Sequence, residues 1–196
     1  IKNGATIRAM FEEGKELARK YGKENVYDFS LGNPNVETPE EIKKLICEIV
    51  SEEDSLNLHG YMSNSGYEDV RKTIANSINK KYELNIDEQS IVMTCGAAGG
   101  LNIIFKSILE EGDEVIVFAP FFGEYSNYIK NFKGKEVIAS TEENTFLPDV
   151  EDLKRNITER TKAVIINSPN NPTGVIYSSK VIEDICFVLK QKQLEY

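Results

Sequence analysis

The densest concentration of chemistry in the chain is Asn167-Ser168-Pro169-Asn170-Asn171-Pro172-Thr173-Gly174, directly after the apolar run Ala163-Val164-Ile165-Ile166. That run reads as a buried parallel strand. Amide and hydroxyl groups at its carboxyl end, held by two prolines and a glycine, aim polar atoms at one place. Strand ends of this kind are where open α/β sheets bind ligands, although Asn-Pro by itself is ordinary loop punctuation. A second stretch, Thr94-Cys95-Gly96-Ala97-Ala98-Gly99-Gly100, leads into a helical pattern. Small residues let backbone N–H groups approach an anion, and a helix N-terminus favours negative charge. Phosphate suits such a loop; tight helix–strand packing is the plainer alternative. No Gly-Lys-Ser/Thr follows and the glycine spacing misses Gly-x-Gly-x-x-Gly, so neither a P-loop nor a dinucleotide fingerprint is present. A third stretch, Ala119-Pro120-Phe121-Phe122-Gly123-Glu124-Tyr125, closes another apolar run with rings that can stack on a flat heterocycle or fill the core. Tyr61, in a polar glycine-bearing loop over residues 58–66, offers a phenol to a phosphate oxygen. Together these features describe a site for a flat, phosphorylated aromatic ring.

The elements that must position them alternate. Apolar runs at residues 91–94, 114–118, 136–139 and 163–166 are strand candidates. Helical periods lie between them, clearest at Leu101, Ile104, Phe105, Ile108 and at Tyr125, Tyr128, Ile129, Phe132. Such alternation predicts an α/β fold with a mostly parallel sheet and helices on its faces. Upstream, residues 6–21 have helical spacing at Ile7, Met10, Phe11, Leu17 and Ala18, and residues 26–31 read as a short strand ending in the turn cluster Gly32-Asn33-Pro34-Asn35. Thr38 as N-cap, Pro39 at the first helical position and Glu41 predict a helix with Ile42, Leu45, Ile46, Ile49 and Val50 on one face. Ser65 and Glu68 suggest a second capping box, opening a helix with Val70, Ile74 and Ile78 inward. Val181, Ile182, Ile185, Val188 and Leu189 start a final helix.

Composition narrows the function classes. The 196 residues are 40% hydrophobic and 28% charged, which suits a soluble globular protein with a real core. A formal charge of −9 argues against a nucleic-acid or anionic-membrane surface. No apolar run reaches spanning length and no secretory signal is seen, so a cytoplasmic protein without membrane partners is expected. Cys47, Cys95 and Cys186 are odd in number and lack metal-site spacing, so reduced thiols are expected. His59 is the one histidine, which leaves no His-based metal site and no Ser-His or Cys-His nucleophile pair.

In order, these motifs resemble the class I/II aminotransferases of the fold-type-I pyridoxal-phosphate (PLP) superfamily, across nearly the whole chain. The resemblance implies a three-layer α/β large domain, incomplete here, with residues 1–36 as N-terminal arm and small-domain part and residues 37–196 as the N-terminal part of the PLP-binding domain. Gly32-Asn33-Pro34 looks like the family's Gly-x-Pro segment, which puts the Gly32 backbone against the substrate carboxylate. His59-Gly60-Tyr61 with Gly66 and Arg71 looks like its "GY…G…LR" stretch, which implies that Tyr61 reaches the cofactor phosphate of the partner subunit in a homodimer. By the same resemblance Gly96, Ala97 and Ala98 form the phosphate loop, Phe122 stacks on the pyridine ring and Asn171 hydrogen-bonds its 3′-oxygen. Pro120 and Pro172 match positions that are often cis. Ala98 stands where relatives often have Ser or Thr, which loses a side-chain phosphate contact, and Phe122 replaces a frequent Trp or Tyr.

The family's Schiff-base lysine, the acidic partner of the pyridine nitrogen and the carboxylate-gripping arginine all follow Asn-Pro-Thr-Gly at a later point. No catalytic residue is therefore expected within these 196 residues, and the fragment by itself is expected to be inactive. Ser178-Ser179-Lys180 mimics the lysine motif but starts a helix only a few residues past Gly174, so Lys180 is read as a surface lysine. The resemblance also implies that later strands separate residues 91–94 from the rest of the sheet, leaving unpaired edges. The chain is accordingly expected to be part of a longer one or to pair with a complementary piece. The full protein is expected to move an amino group from an amino acid, aspartate or an aromatic, to a 2-oxo acid. The alternatives are a PLP-dependent C–S lyase or cyclopropane-forming synthase, and a non-catalytic effector-binding module.

Overall fold

The computed structural model describes residues 2–29, 32 and 36–195. They form two compact units that divide between Thr94 and Cys95.

The first unit is helical. α1 (Lys2–Tyr21) is followed by α2 (Glu40–Glu52), α3 (Ser55–His59) and α4 (Glu68–Tyr82). The expected strand at residues 26–31 is not formed over residues 26–29, where Tyr27 and Phe29 are largely exposed; Ser30 and Leu31 lie outside the described residues, as does most of the turn cluster, Asn33 to Asn35. A two-faced apolar alternation needs a ladder partner to become a strand, and none pairs with it among the described residues. Neither expected capping box forms. α2 starts one residue later than its sequence suggests, with Pro39 at the cap and no side-chain cap bond, while Ile42 N–H bonds the Pro39 carbonyl at 3.0 Å. α4 starts after Tyr67 rather than Ser65, because Ser63, Ser65 and Gly66 are occupied in a turn: Gly66 N–H bonds Ser63 O at 2.9 Å. α4 buries Ala75, and Val70, expected inward, is exposed. The apolar face of α2 is exposed as well, from 41% at Ile49 to 62% at Val50.

Residues 91–94 are not a strand either. Ile91 closes a short 3-10 turn over Glu88–Ser90, Met93 N–H bonds Ser65 O at 2.9 Å, and Val92 and Met93 are exposed. Propensity alone does not hold an extended run; the ladder does, and among the described residues no neighbouring strand reaches this one.

The second unit has the expected α/β architecture. α5 (Gly96–Ile108) precedes β1 (Glu114–Phe118), α6 (Glu124–Asn131), β2 (Lys135–Ala139), α7 (Val150–Asn156), β3 (Thr161–Val164) and α8 (Ser179–Gln193). The strands pair in parallel in the order β2-β1-β3. Phe118 faces Ala139 in one register, and Ile116 faces Val164 in the other. β1 is central and buried along its whole length, so it reads as an unbroken apolar run after Glu114. Its side chains feed two cores by alternation. Ile116 and Phe118 pack with Leu153 of α7 and with Ile185 and Val188 of α8. Val115 and Val117 pack on the opposite face with Phe105 of α5 and Ile129 of α6. The sheet is thus a middle layer, with α5 and α6 on one face and α7 and α8 on the other.

Candidate functional site

Two chain exits flank the crevice between neighbouring strands β1 and β3. β1 runs into α6 on one face of the sheet, whereas β3 runs into α8 on the other. Adjacent parallel strands whose following helices leave to opposite faces open a crevice at their carboxyl ends, the place where doubly wound sheets bind ligands.

α5 directs its N-terminus to the same end of the sheet. Its C-terminal neighbour Leu109 lies against Gly134, just before β2 begins, so α5 runs antiparallel to the strands. Cys95 caps the helix without a side-chain hydrogen bond, and Ala97 and Ala98 are exposed in its first turn. Gly96 adopts φ +72°, a left-handed conformation that favours glycine, and nothing lies within 4 Å of where its Cβ would be. A 13-residue helix with small exposed residues at its start offers N–H donors and a positive dipole end to an anion.

The β1 exit is held by its neighbour. Ala119 N–H bonds Ala139 O at 3.0 Å, and the Thr141 hydroxyl donates to Ala119 O at 2.8 Å. The Ala119–Pro120 peptide is cis. Phe122 is half-buried and meets the Tyr125 ring edge-on, centroids 5.6 Å apart and planes at 82°. Phe121 stacks on the same Tyr125 at 6.5 Å and belongs to the core.

The β3 exit is a turn braced from within. Ile165 N–H bonds Ile116 O at 2.9 Å, continuing the sheet past β3. Asn167 Oδ1 accepts from Asn171 N–H at 2.9 Å, and Asn170 Oδ1 accepts from the Thr173 hydroxyl at 2.9 Å and from Thr173 N–H at 3.2 Å. Gly174 N–H bonds Asn170 O at 2.7 Å, with Gly174 at φ +75°. The Ser168–Pro169 and Asn171–Pro172 peptides are both cis, so the two cis positions expected at Pro120 and Pro172 are present and Pro169 adds a third. Asn171 is exposed, and its side-chain amide has no partner among the described residues.

The site residues anticipated from the sequence therefore fall in two groups. Gly96, Ala97, Ala98, Phe122 and Asn171 lie on the three elements that converge at the carboxyl ends of β1 and β3. Gly32 and Tyr61 lie in the first unit; Gly32 is open, with nothing within 4 Å of a Cβ position, and Tyr61 is fully exposed beyond α3. Arg71 turns inward to bond the Gly66 carbonyl at 3.2 Å and the Glu88 carbonyl at 2.5 Å. Lys180 sits in the first turn of α8, 74% exposed and ion-paired with Asp184, which holds its ammonium above the ordinary lysine range. Sequence reasoning missed Asn170 and Tyr177, both buried; a tyrosine three residues past the glycine of a polar turn was the available signal.

These residues suit a flat, phosphorylated ring: small residues at the start of α5, an aromatic face at Phe122 and an uncommitted amide at Asn171. Among the described residues no three His, Cys, Asp or Glu side chains form a group able to hold a metal ion, and no helix is long and apolar enough to cross a membrane.

Comparison with known proteins gives the same picture. The family model for aminotransferase class I and II matches residues 24–194. An aspartate aminotransferase of Pyrococcus horikoshii is 33% identical over 180 residues, 91% of this chain and 44% of the relative. A crystal structure of an aminotransferase from Eubacterium rectale superposes with a TM-score of 0.92 at 38% identity, covering 96% of this chain and 48% of that one. Thermus thermophilus aspartate aminotransferase, solved with maleate, superposes at 0.82 with 30% identity over 94% of this chain and 47% of that one. The chain spans slightly under half the length of the relatives it matches, and its architecture is that of their fold-type-I large domain. With a family match over most of its length, this chain belongs to the class I and II aminotransferases.

Proposed function

We propose that the protein carrying this chain is an aminotransferase that moves an amino group from an amino acid, aspartate or an aromatic one, to a 2-oxo acid. The class I and II family works with pyridoxal phosphate, which when bound supplies an electron sink at the substrate's α-carbon. The observation that carries the reading is the crevice between β1 and β3, framed by the small-residue start of α5. In it, Ala97 and Ala98 N–H groups and the α5 dipole hold the phosphate, with Gly96 keeping the approach clear. Phe122 covers one face of the ring and excludes water from it. The Asn171 amide donates to the ring oxygen, fixing the ring's rotation about its phosphate arm. Gly32 meets the substrate carboxylate, and Tyr61 serves the phosphate of the other subunit in a cytoplasmic homodimer. Residues 37–196 are then the N-terminal part of the cofactor-binding domain, and residues 1–36 the arm and part of a small domain.

The test uses the full-length protein with pyridoxal phosphate, aspartate or an aromatic amino acid, and a 2-oxo acid. Turnover that requires the 2-oxo acid supports the reading. Release of product without a 2-oxo acid points to a lyase and overturns it, as does cofactor uptake without any turnover.

A further inference from the structure

The β3 exit is braced by two buried side chains with no place in the function proposed above. Asn170 and Tyr177 are 8% and 7% exposed. The Asn170 amide nitrogen donates to the Tyr177 hydroxyl at 3.5 Å, while its oxygen takes both donors of Thr173. Asn170 N–H bonds Val175 O at 2.9 Å, and Tyr177 N–H bonds the Ser168 hydroxyl at 2.8 Å, which closes the turn on itself. Burial holds the Tyr177 hydroxyl above its ordinary range, partly offset by its hydrogen bond with Asn170. A chain of hydrogen bonds thus runs from the turn that displays Asn171, through Asn170, to Tyr177.

We propose that Asn170 and Tyr177 are positioning residues that set the direction of the Asn171 amide, and so fix how the cofactor's ring is held. The inference rests on the cofactor-site reading above. A buried amide that satisfies both its oxygen and its nitrogen within one turn leaves that turn a single arrangement. Without the Tyr177 hydroxyl, the Asn170 nitrogen is left buried and unbonded, and the turn relaxes to recover a partner. Asn171 is the next residue of that turn, so its amide is displaced as the turn relaxes.

The experiment compares full-length parent protein with Tyr177→Phe, Asn170→Ala and Asn170→Asp. Pyridoxal phosphate affinity is measured by equilibrium dialysis, and the pH midpoint of the bound cofactor's visible absorption change by titration. Thermal unfolding of the cofactor-free proteins runs alongside. Tyr177→Phe and Asn170→Ala are expected to weaken binding roughly tenfold and to displace the pH midpoint. Asn170→Asp keeps the oxygen that Thr173 uses and is expected to fall between them and the parent. Affinity within about twofold of the parent and an unmoved midpoint, with only thermal stability lowered, would assign the pair a purely structural role and overturn the proposal. A parent that takes up no pyridoxal phosphate overturns the cofactor reading itself, a failure seen before any variant is compared.

Discussion

Asn167 Oδ1 accepts the backbone N–H of Asn171 at 2.9 Å, so one asparagine inside the turn holds the asparagine that the turn displays. The two side chains have separable duties. Asn167→Ala removes an internal hydrogen bond and is expected to lower stability by about 1 kcal/mol as well as cofactor affinity. Asn171→Ala removes only the outward amide; roughly tenfold weaker pyridoxal phosphate binding is expected, with unfolding unchanged. Denaturant titration beside equilibrium dialysis separates the two, and equal stability losses would contradict the division.

Gly66 has no substitute with a side chain. Its φ is +96°, and a Cβ would stand 2.5 Å from Met93 Cγ. Gly66→Ala is expected to destabilise by about 1–3 kcal/mol through backbone strain and displacement of Met93. Shortening Met93 in the same protein should recover part of the loss but not the strain, which thermal unfolding of the single and double variants will measure.

Glu114 links stability to acid. Burial by itself pushes its carboxyl up, but Lys135 at 2.9 Å, the Thr158 hydroxyl at 2.6 Å and the charge of Arg160 together outweigh burial and leave it below its ordinary value of 4.5. A depressed carboxyl stabilises the fold at pH above the unfolded value, and that contribution disappears as pH falls through the lower folded value. Glu114→Gln is therefore expected to flatten the stability profile below about pH 4.5 and to lower the plateau above it. An unchanged acid slope would remove Glu114 from the acid transition.

Lys180 is expected to be dispensable for the cofactor. It is exposed on α8 and engaged with Asp184 one turn away. Lys180→Ala should bind pyridoxal phosphate as the parent does, and borohydride treatment followed by peptide mapping should find no cofactor on this residue. A label at Lys180 would reverse that assignment.

The interior of α8 is a different matter. Ile185 is wholly buried against Ile116, Phe118 and Leu153. Ile185→Ala is expected to cost about 2–5 kcal/mol and Ile185→Val about 0.5–1.5, read by chemical denaturation. A loss below 1 kcal/mol for the alanine would mean that this core does not hold the unit together.

The amino-acid sequence by itself determined the elements whose causes are local. The residue types at 94–100 and 167–174 announce a helix start and a rigid turn because glycine, proline and asparagine restrict φ, ψ and hydrogen bonding within a few residues. The uninterrupted apolar run of β1 announces a strand buried on both faces, and the period at residues 101–108 announces a helix. The tertiary structure decided what depends on partners far along the chain. Residues 26–29 and 91–94 have strand-like patterns but no ladder among the described residues, since pairing is a property of two segments and a pattern belongs to one. Thr38 and Ser65 have the chemistry of caps, yet the chain enters its helices at Pro39 and Tyr67, where the preceding turns leave it. The roles of Asn170 and Asn171 diverge for the same reason. They are adjacent and identical in type, but only packing sends one amide inward to Tyr177 and leaves the other facing out at the end of the sheet.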